Sequence, residues 1–224
     1  MTDVTIYLSQ KAYNKLGTEP LDIAYNYLEH AFNDLSTSYT LEKGGTFFDA
    51  TYDYNGDGTT GSDTCVDLDD FGAFVSDQSD SGSKANHVLT YGDWTCNPAS
   101  DGYLSWSSDA EDVAQLSKDP VDSHEDTTTG AHAITGVLHE VGHSLLVPES
   151  EMQTGDSHKT GSNRLEFYSG LNFTGYYVTP MLTNYDRQFV GEDNECGEHI
   201  DDPEDGDAIY LEHLYSNCFD KHTE

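Results

Sequence analysis

The apolar positions of this chain change period several times, and each change marks an element. Val4-Thr-Ile-Tyr-Leu8 alternates with a period of two, which predicts a strand. From Pro20 the spacing lengthens. Leu21, Ala24, Tyr25, Leu28, Ala31, Phe32 and Leu35 recur at three- and four-residue steps, which predicts a helix opened by the proline. Tyr39 to Ala50 is extended again, broken by Gly44-Gly45. Such a strand-helix-strand opening predicts a right-handed crossover. Phe71 to Val75 fits either a short strand or a helical turn, and Ser76 to Ser83 a polar loop. His87 to Tyr91 and Gly102 to Trp106 predict two further strands, and Asp119 to Gly130 a polar lead-in to the next element.

That element runs from Ala131 to Leu146. Ile134, Val137, Leu138, Val141, Leu145 and Leu146 give it one apolar face, so it predicts a largely buried helix. The helix contains His139-Glu140-Val141-Gly142-His143. Residues four apart lie on one helix face about a turn apart, so two such imidazoles can share one tetrahedral metal ion. Glu140, turned aside, can act as a base without being a ligand. A chain with 10 His and many Glu can produce this pentapeptide by accident. An apolar helix carrying three polar groups nevertheless needs partners for them, and a metal supplies those partners.

Beyond the helix, Pro148 stops regular structure and Glu149 to Asn163 is polar and irregular. Leu165 to Tyr168 and Tyr176 to Val178 are short extended pieces, with a turn after them at Thr179-Pro180-Met181-Leu182-Thr183. Ala208, Ile209, Leu211 and Leu214 make Asp205 to Leu214 a predicted final helix. No internal repeat is visible.

Length and charge narrow the function classes. The 224 residues suffice for a single catalytic domain, 1–224, in an N-terminal lobe (1–146) and a C-terminal lobe (147–224). Asp and Glu number 42 against 9 Lys and Arg, a formal net charge of −33. A surface so acidic repels DNA, RNA and anionic membranes. It resembles proteins of extreme halophiles and has a haloarchaeal character, with salt screening the self-repulsion. An aromatic content of 12% argues for a packed fold over an acidic disordered chain.

Four cysteines, Cys65, Cys96, Cys196 and Cys218, form no C-x-x-C pair, which argues against a zinc ribbon. An even count fits two disulfides and an oxidising compartment. Of three pairings, the sequential one, Cys65–Cys96 with Cys196–Cys218, is expected; four free thiols are the alternative. Met1-Thr-Asp carries no signal-peptide pattern, and no stretch is apolar enough to span a membrane. The expectation is therefore a secreted, extracellular and monomeric domain, with its export signal and any pro-segment outside this chain.

Asp53-Tyr-Asn55-Gly-Asp57-Gly58 has the alternate oxygen ligands and turn glycine that open a calcium loop. The twelfth position is Thr64, where a bidentate Glu belongs. Asp53, Asn55 and Asp57 are thus candidate Ca2+ ligands, with a solvated acidic turn as the alternative.

The His-Glu-x-x-His segment and the residues beyond it resemble the metzincin zinc endopeptidases, whose extended motif is H-E-x-x-H-x-x-G-x-x-H. Leu146 stands where that motif has Gly, and Glu149 where it has the third His. Gly155-Asp156-Ser157-His158 repeats the G-x-x-H ending nine residues later. The resemblance implies a Zn2+ site of His139, His143 and His158 with a loop inserted before the third ligand; Glu149 is the alternative third ligand. It also implies a methionine turn at Met181 beneath the metal, and Tyr185 as a transition-state contact. The implied fold is α+β: a twisted mixed sheet with a long helix, the active-site helix, and an irregular C-terminal lobe with a final helix. The implied activity is hydrolysis of protein or peptide substrates by activated water with Glu140 as general base. Gly102 to Trp106 is the strand edge expected to pair with substrate. His132 is expected to hydrogen-bond within the lead-in, and His199 and His213 show no metal spacing. The competing expectation is a catalytically inert, metal-stabilised extracellular binding or surface protein of the same fold.

Overall fold

The computed structural model describes residues 3–47, 66, 68–78, 83–91, 99–168, 173–182, 186–202 and 207–223. The calcium-loop candidates Asp53, Asn55 and Asp57, the cysteines Cys65 and Cys96, and Tyr185 lie outside the described residues.

The chain forms an α+β structure around two sheets. The first has five strands in the order β2-β1-β3-β5-β4: β1 (Val4–Ser9), β2 (Leu41–Phe47), β3 (Ala85–Leu89), β4 (Ala99–Asp101) and β5 (Leu104–Ser107). β2, β1, β3 and β5 run parallel, and β4 is antiparallel to β5. Every residue of β1 and β3 is buried, as expected for parallel strands covered on both faces. The period-two alternation assigns the faces. Val4, Ile6 and Leu8 join α2 (Glu19–Asn33) and α5 (Thr129–Leu145) in the larger core. Tyr7, Val88, Leu104 and Trp106 join α3 (Leu68–Ser76) in a smaller one. Gly44-Gly45 coincides with the shift in the β1–β2 register, from Ile6↔Lys43 to Leu8↔Thr46. A side chain at Gly44 would run into the ring of Tyr7.

The second sheet has the order β6-β9-β8-β7, from β6 (Ser123–Glu125), β7 (Asn163–Tyr168), β8 (Phe173–Val178) and β9 (Ala208–Glu212). It takes β6 from before α5, so this sheet spans the boundary at residue 146. The C-terminal segment also returns to the larger core through Tyr215 and Phe219.

Two sequence expectations need correction. Residues 208–212 of the predicted final helix, Asp205 to Leu214, form β9 instead. Its apolar spacing suits a helix, but the segment fills the slot between β6 and β8 and pairs its backbone on both sides. The final helix is α7 (Asn217–Lys221), whose first turn is capped by the Ser216 hydroxyl accepting from Phe219 N at 2.9 Å. Second, Gly102 to Trp106 does not offer a free edge, because β5 is paired with β3 and β4; among the described residues the sheet ends at β4. Of the two readings of Phe71 to Val75, the helical one holds: it belongs to the nine-residue α3, while α1 (Gln10–Leu16) precedes α2, and α4 (Ala110–Val113) and α6 (Asp186–Phe189) are further short helices.

Helix α5 starts where Thr128 caps it, its hydroxyl accepting from Ala131 N at 3.2 Å. It ends at Leu146 with φ −80° and ψ 151°, ordinary extended backbone that needs no glycine. The chain is drawn out there by pairing with the C-terminal residues: Leu146 bridges Thr223, and Val147 N donates to His222 O at 2.9 Å.

Candidate metal centre

His139 and His143 sit one turn apart on α5, as their spacing requires. Their Nε2 atoms are 3.1 Å apart. Two ligands of one tetrahedral ion, each about 2.0–2.1 Å from it, lie about 3.3 Å from each other. The third histidine comes from a 3-10 turn at Ser157–Thr160, in the polar segment after Pro148. His158 packs its ring 5.3 Å from that of His139 and 4.9 Å from that of His143. The three offer ligand nitrogens all within 4.8 Å of one another. This cluster can hold a metal ion.

Each imidazole is oriented through its other nitrogen. His139 Nδ1 lies 2.8 Å from the carbonyl oxygen of Pro180. A carbonyl only accepts, so Nδ1 carries the proton and Nε2 keeps its lone pair. His158 Nδ1 lies 2.8 Å from Asp156 Oδ1, which also accepts the His158 backbone N–H at 3.0 Å. That oxygen is thus an acceptor, and Nδ1 of His158 is likewise the protonated nitrogen. His143 Nδ1 lies 3.0 Å from Ser157 Oγ. Partners of this kind fix ring orientation and tautomer at metal sites.

Burial keeps the helix pair neutral. Desolvation lowers His139 to about 4, opposed by the Pro180 hydrogen bond and aided by neighbouring His158. It lowers His143 to about 3, with His139 and His158 adding to the effect. Glu140 is buried beside His139, at 8% exposure. Met181, 1% exposed, sits in the 3-10 turn Pro180–Leu182 and packs beneath α5. Gly161, just past the His158 turn, lies so close to Leu182 that an added Cβ would be 2.6 Å from Leu182 N. The His158 turn and the Pro180–Leu182 turn are therefore pressed together.

The other sequence candidates separate from this cluster. Glu149 lies at the start of a 3-10 turn (Glu149–Glu151) and accepts from Ser157 Oγ at 2.8 Å. Among the described residues it is not one of the clustered donors. His132 pairs with Asp126 in the lead-in, His199 faces Asp193 at 3.3 Å, and His213 donates to Val121 O at 2.9 Å. Cys196 and Cys218 form the expected disulfide. Asp156, Ser157 and the Pro180 carbonyl were not singled out as site residues from sequence. Their signal is adjacency: two immediately precede His158, and one precedes Met181.

No protein-family model matches the chain, and no curated protein matches it. No helix among the described residues is long and apolar enough to cross a membrane.

Proposed function

We propose that this chain is a zinc-dependent endopeptidase of the metzincin type. The observation that carries the proposal is the donor set: three converging imidazoles, two with Nδ1 committed to a carbonyl or carboxylate, beside a buried glutamate. Neutral nitrogen donors of this kind suit Zn2+ and other late transition metals, and not Ca2+ or Mg2+, which take oxygen. His139, His143 and His158 would hold the ion. When bound there, zinc supplies a Lewis acid that lowers the pKa of water towards neutrality and polarises the scissile carbonyl.

The chain's own residues do the rest. Glu140 takes the proton of the attacking water on its carboxylate and passes it to the departing amine. Pro180 O and Asp156 Oδ1 hold the His139 and His158 rings in their ligand tautomers. An extended peptide adds to the outer edge of the first sheet at β4, where main-chain hydrogen bonds give affinity without demanding a particular sequence. The Cys196–Cys218 disulfide supports an extracellular setting, and the charge of −33 supports work in high salt.

The test is Glu140→Gln assayed in multimolar salt on casein and a peptide library. Zinc content should stay at that of the wild type while hydrolysis falls by a factor of at least about a hundred. Cleavage by the variant at the wild-type rate would refute the mechanism. A wild-type protein that binds zinc and cleaves nothing would instead favour an inert, metal-stabilised binding protein.

A further inference from the structure

Ser157 leaves the His143 tautomer open when taken alone, because a hydroxyl both donates and accepts. Two arrangements are possible. In one, Ser157 donates to Nδ1, and His143 Nε2–H donates across the 3.1 Å gap to His139 Nε2. The two histidines then satisfy each other and need no metal. In the other, Ser157 accepts from Nδ1–H, and two lone pairs face each other across the same gap. A cation between them relieves that arrangement.

Glu149 decides between the two. Its Oε1 receives the Ser157 backbone N–H at 3.1 Å and the Ser157 hydroxyl at 2.8 Å. The backbone group can only donate, so Oε1 is an acceptor for both. The hydroxyl has one proton, and that proton goes to Glu149. Ser157 Oγ is left to accept from His143 Nδ1. We infer that Glu149 is a positioning residue: acting through Ser157, it holds His143 in the Nδ1–H tautomer, blocks the His143–His139 hydrogen bond, and keeps the pair primed for a cation. The inference rests on the metal-site reading and assigns its regulation to the residue that occupies the third-ligand position of the short metzincin spacing.

Glu149 is exposed, so removing its carboxylate opens no cavity in the core. Ser157 is 5% exposed and is held in place by the loop around it. With Glu149 gone, the Ser157 hydroxyl is free to turn towards His143. The glutamine variant keeps an acceptor oxygen at the same position and should keep the tautomer.

Long-range proton–nitrogen correlation on the imidazole rings of the metal-free protein reads this directly. The wild type and Glu149→Gln should show His143 protonated at Nδ1, and Glu149→Ala should shift it towards Nε2. Zinc affinity by chelator competition should fall about tenfold in Glu149→Ala and in Ser157→Ala, the low end for outer partners of metal ligands. The double variant should lose little more than either single one, because both act on one path. An Nε2–H tautomer in the metal-free wild type would overturn the inference, as would an unchanged tautomer in Glu149→Ala or fully additive losses. Neither readout uses peptide hydrolysis, so an inactive protein would defeat the protease proposal and leave this one standing.

Discussion

Met181 Sδ lies against the backbone of Gly142, in the turn of α5 between His139 and His143. A Cβ at 142 would collide with that sulfur and stand 3.2 Å from Tyr215 Cε1 and 3.3 Å from Phe219 Cε2. Gly136 is on the same helix and would meet nothing within 4 Å. The two glycines should therefore respond oppositely to alanine. Gly136→Ala should stabilise by about 0.5–1 kcal/mol through helix propensity. Gly142→Ala gains the same propensity but overpacks a buried methionine, for a net loss of about 1–2 kcal/mol. Denaturant unfolding of both variants checks the contrast, and zinc affinity should fall only in Gly142→Ala.

Removing a ligand should exceed the effect of removing an outer partner. His158→Ala should weaken zinc by more than about a hundredfold, above the usual range for outer partners. His132→Ala and His199→Ala, whose rings pair with Asp126 and Asp193, should bind zinc as the wild type does. Metal content after dialysis against a weak chelator distinguishes the two groups.

His87 links the fold to pH. It is buried at 1% exposure between Ser105 Oγ at 2.8 Å and Ser107 Oγ at 2.9 Å, and desolvation lowers its pKa to about 3. The unfolded chain takes up this proton near pH 6.5, whereas the folded chain does so only near 3. The contribution of His87 is thus complete above pH 6.5 and is lost as pH falls towards 3. The stability gap between wild type and His87→Gln should shrink by up to about 1.4 kcal/mol per pH unit across that window. A gap independent of pH between 6.5 and 4 would contradict the neutral, buried assignment.

The Cys196–Cys218 disulfide follows directly on Glu195, which holds the His158 segment. Glu195 accepts from Gln153 N and from Thr154 N, the latter at 2.8 Å, and its own N–H donates to Lys159 O at 2.8 Å. Replacing both cysteines by serine should cost about 3 kcal/mol by the loop-entropy estimate. It should also weaken zinc binding, because the anchor of the His158 segment is loosened. Thermal melts with and without zinc, compared between the variant and the wild type, measure both effects.

Salt should stabilise the whole molecule. A net charge of −33 repels itself at low ionic strength, and the Debye length falls from about 10 Å at 0.1 M to 3 Å at 1 M. The melting temperature should rise steeply between dilute buffer and multimolar sodium chloride. Equal melting temperatures would remove the argument for a halophilic protein.

The sequence was legible where one local pattern had one structural solution. Alternation in Val4 to Leu8, helical spacing after Pro20 and the apolar face of Ala131 to Leu146 all formed as expected. It misled where tertiary pairing outweighed local spacing. Residues 208–212 carry a helix-compatible pattern, and only the vacancy between β6 and β8 makes them a strand. The position of β5 inside its sheet was equally hidden, because strand order is set by long-range pairing. At the site, the i, i+4 spacing placed His139 and His143 outright. His158 required a likeness to a displaced motif, and the role of Glu149 depended on hydroxyl direction, which no spacing encodes.

The loop that delivers His158 is fastened by residues that come later in the chain. Glu195 binds its backbone, Asn194 Nδ2 donates to Gly161 O at 3.1 Å, and Ser216 closes on Thr160 O. Each of these contacts joins residues at least 33 positions apart in the chain. The place of His158 beside His139 and His143 therefore depends on contacts of long sequence separation, whereas the spacing of His139 and His143 is local to α5.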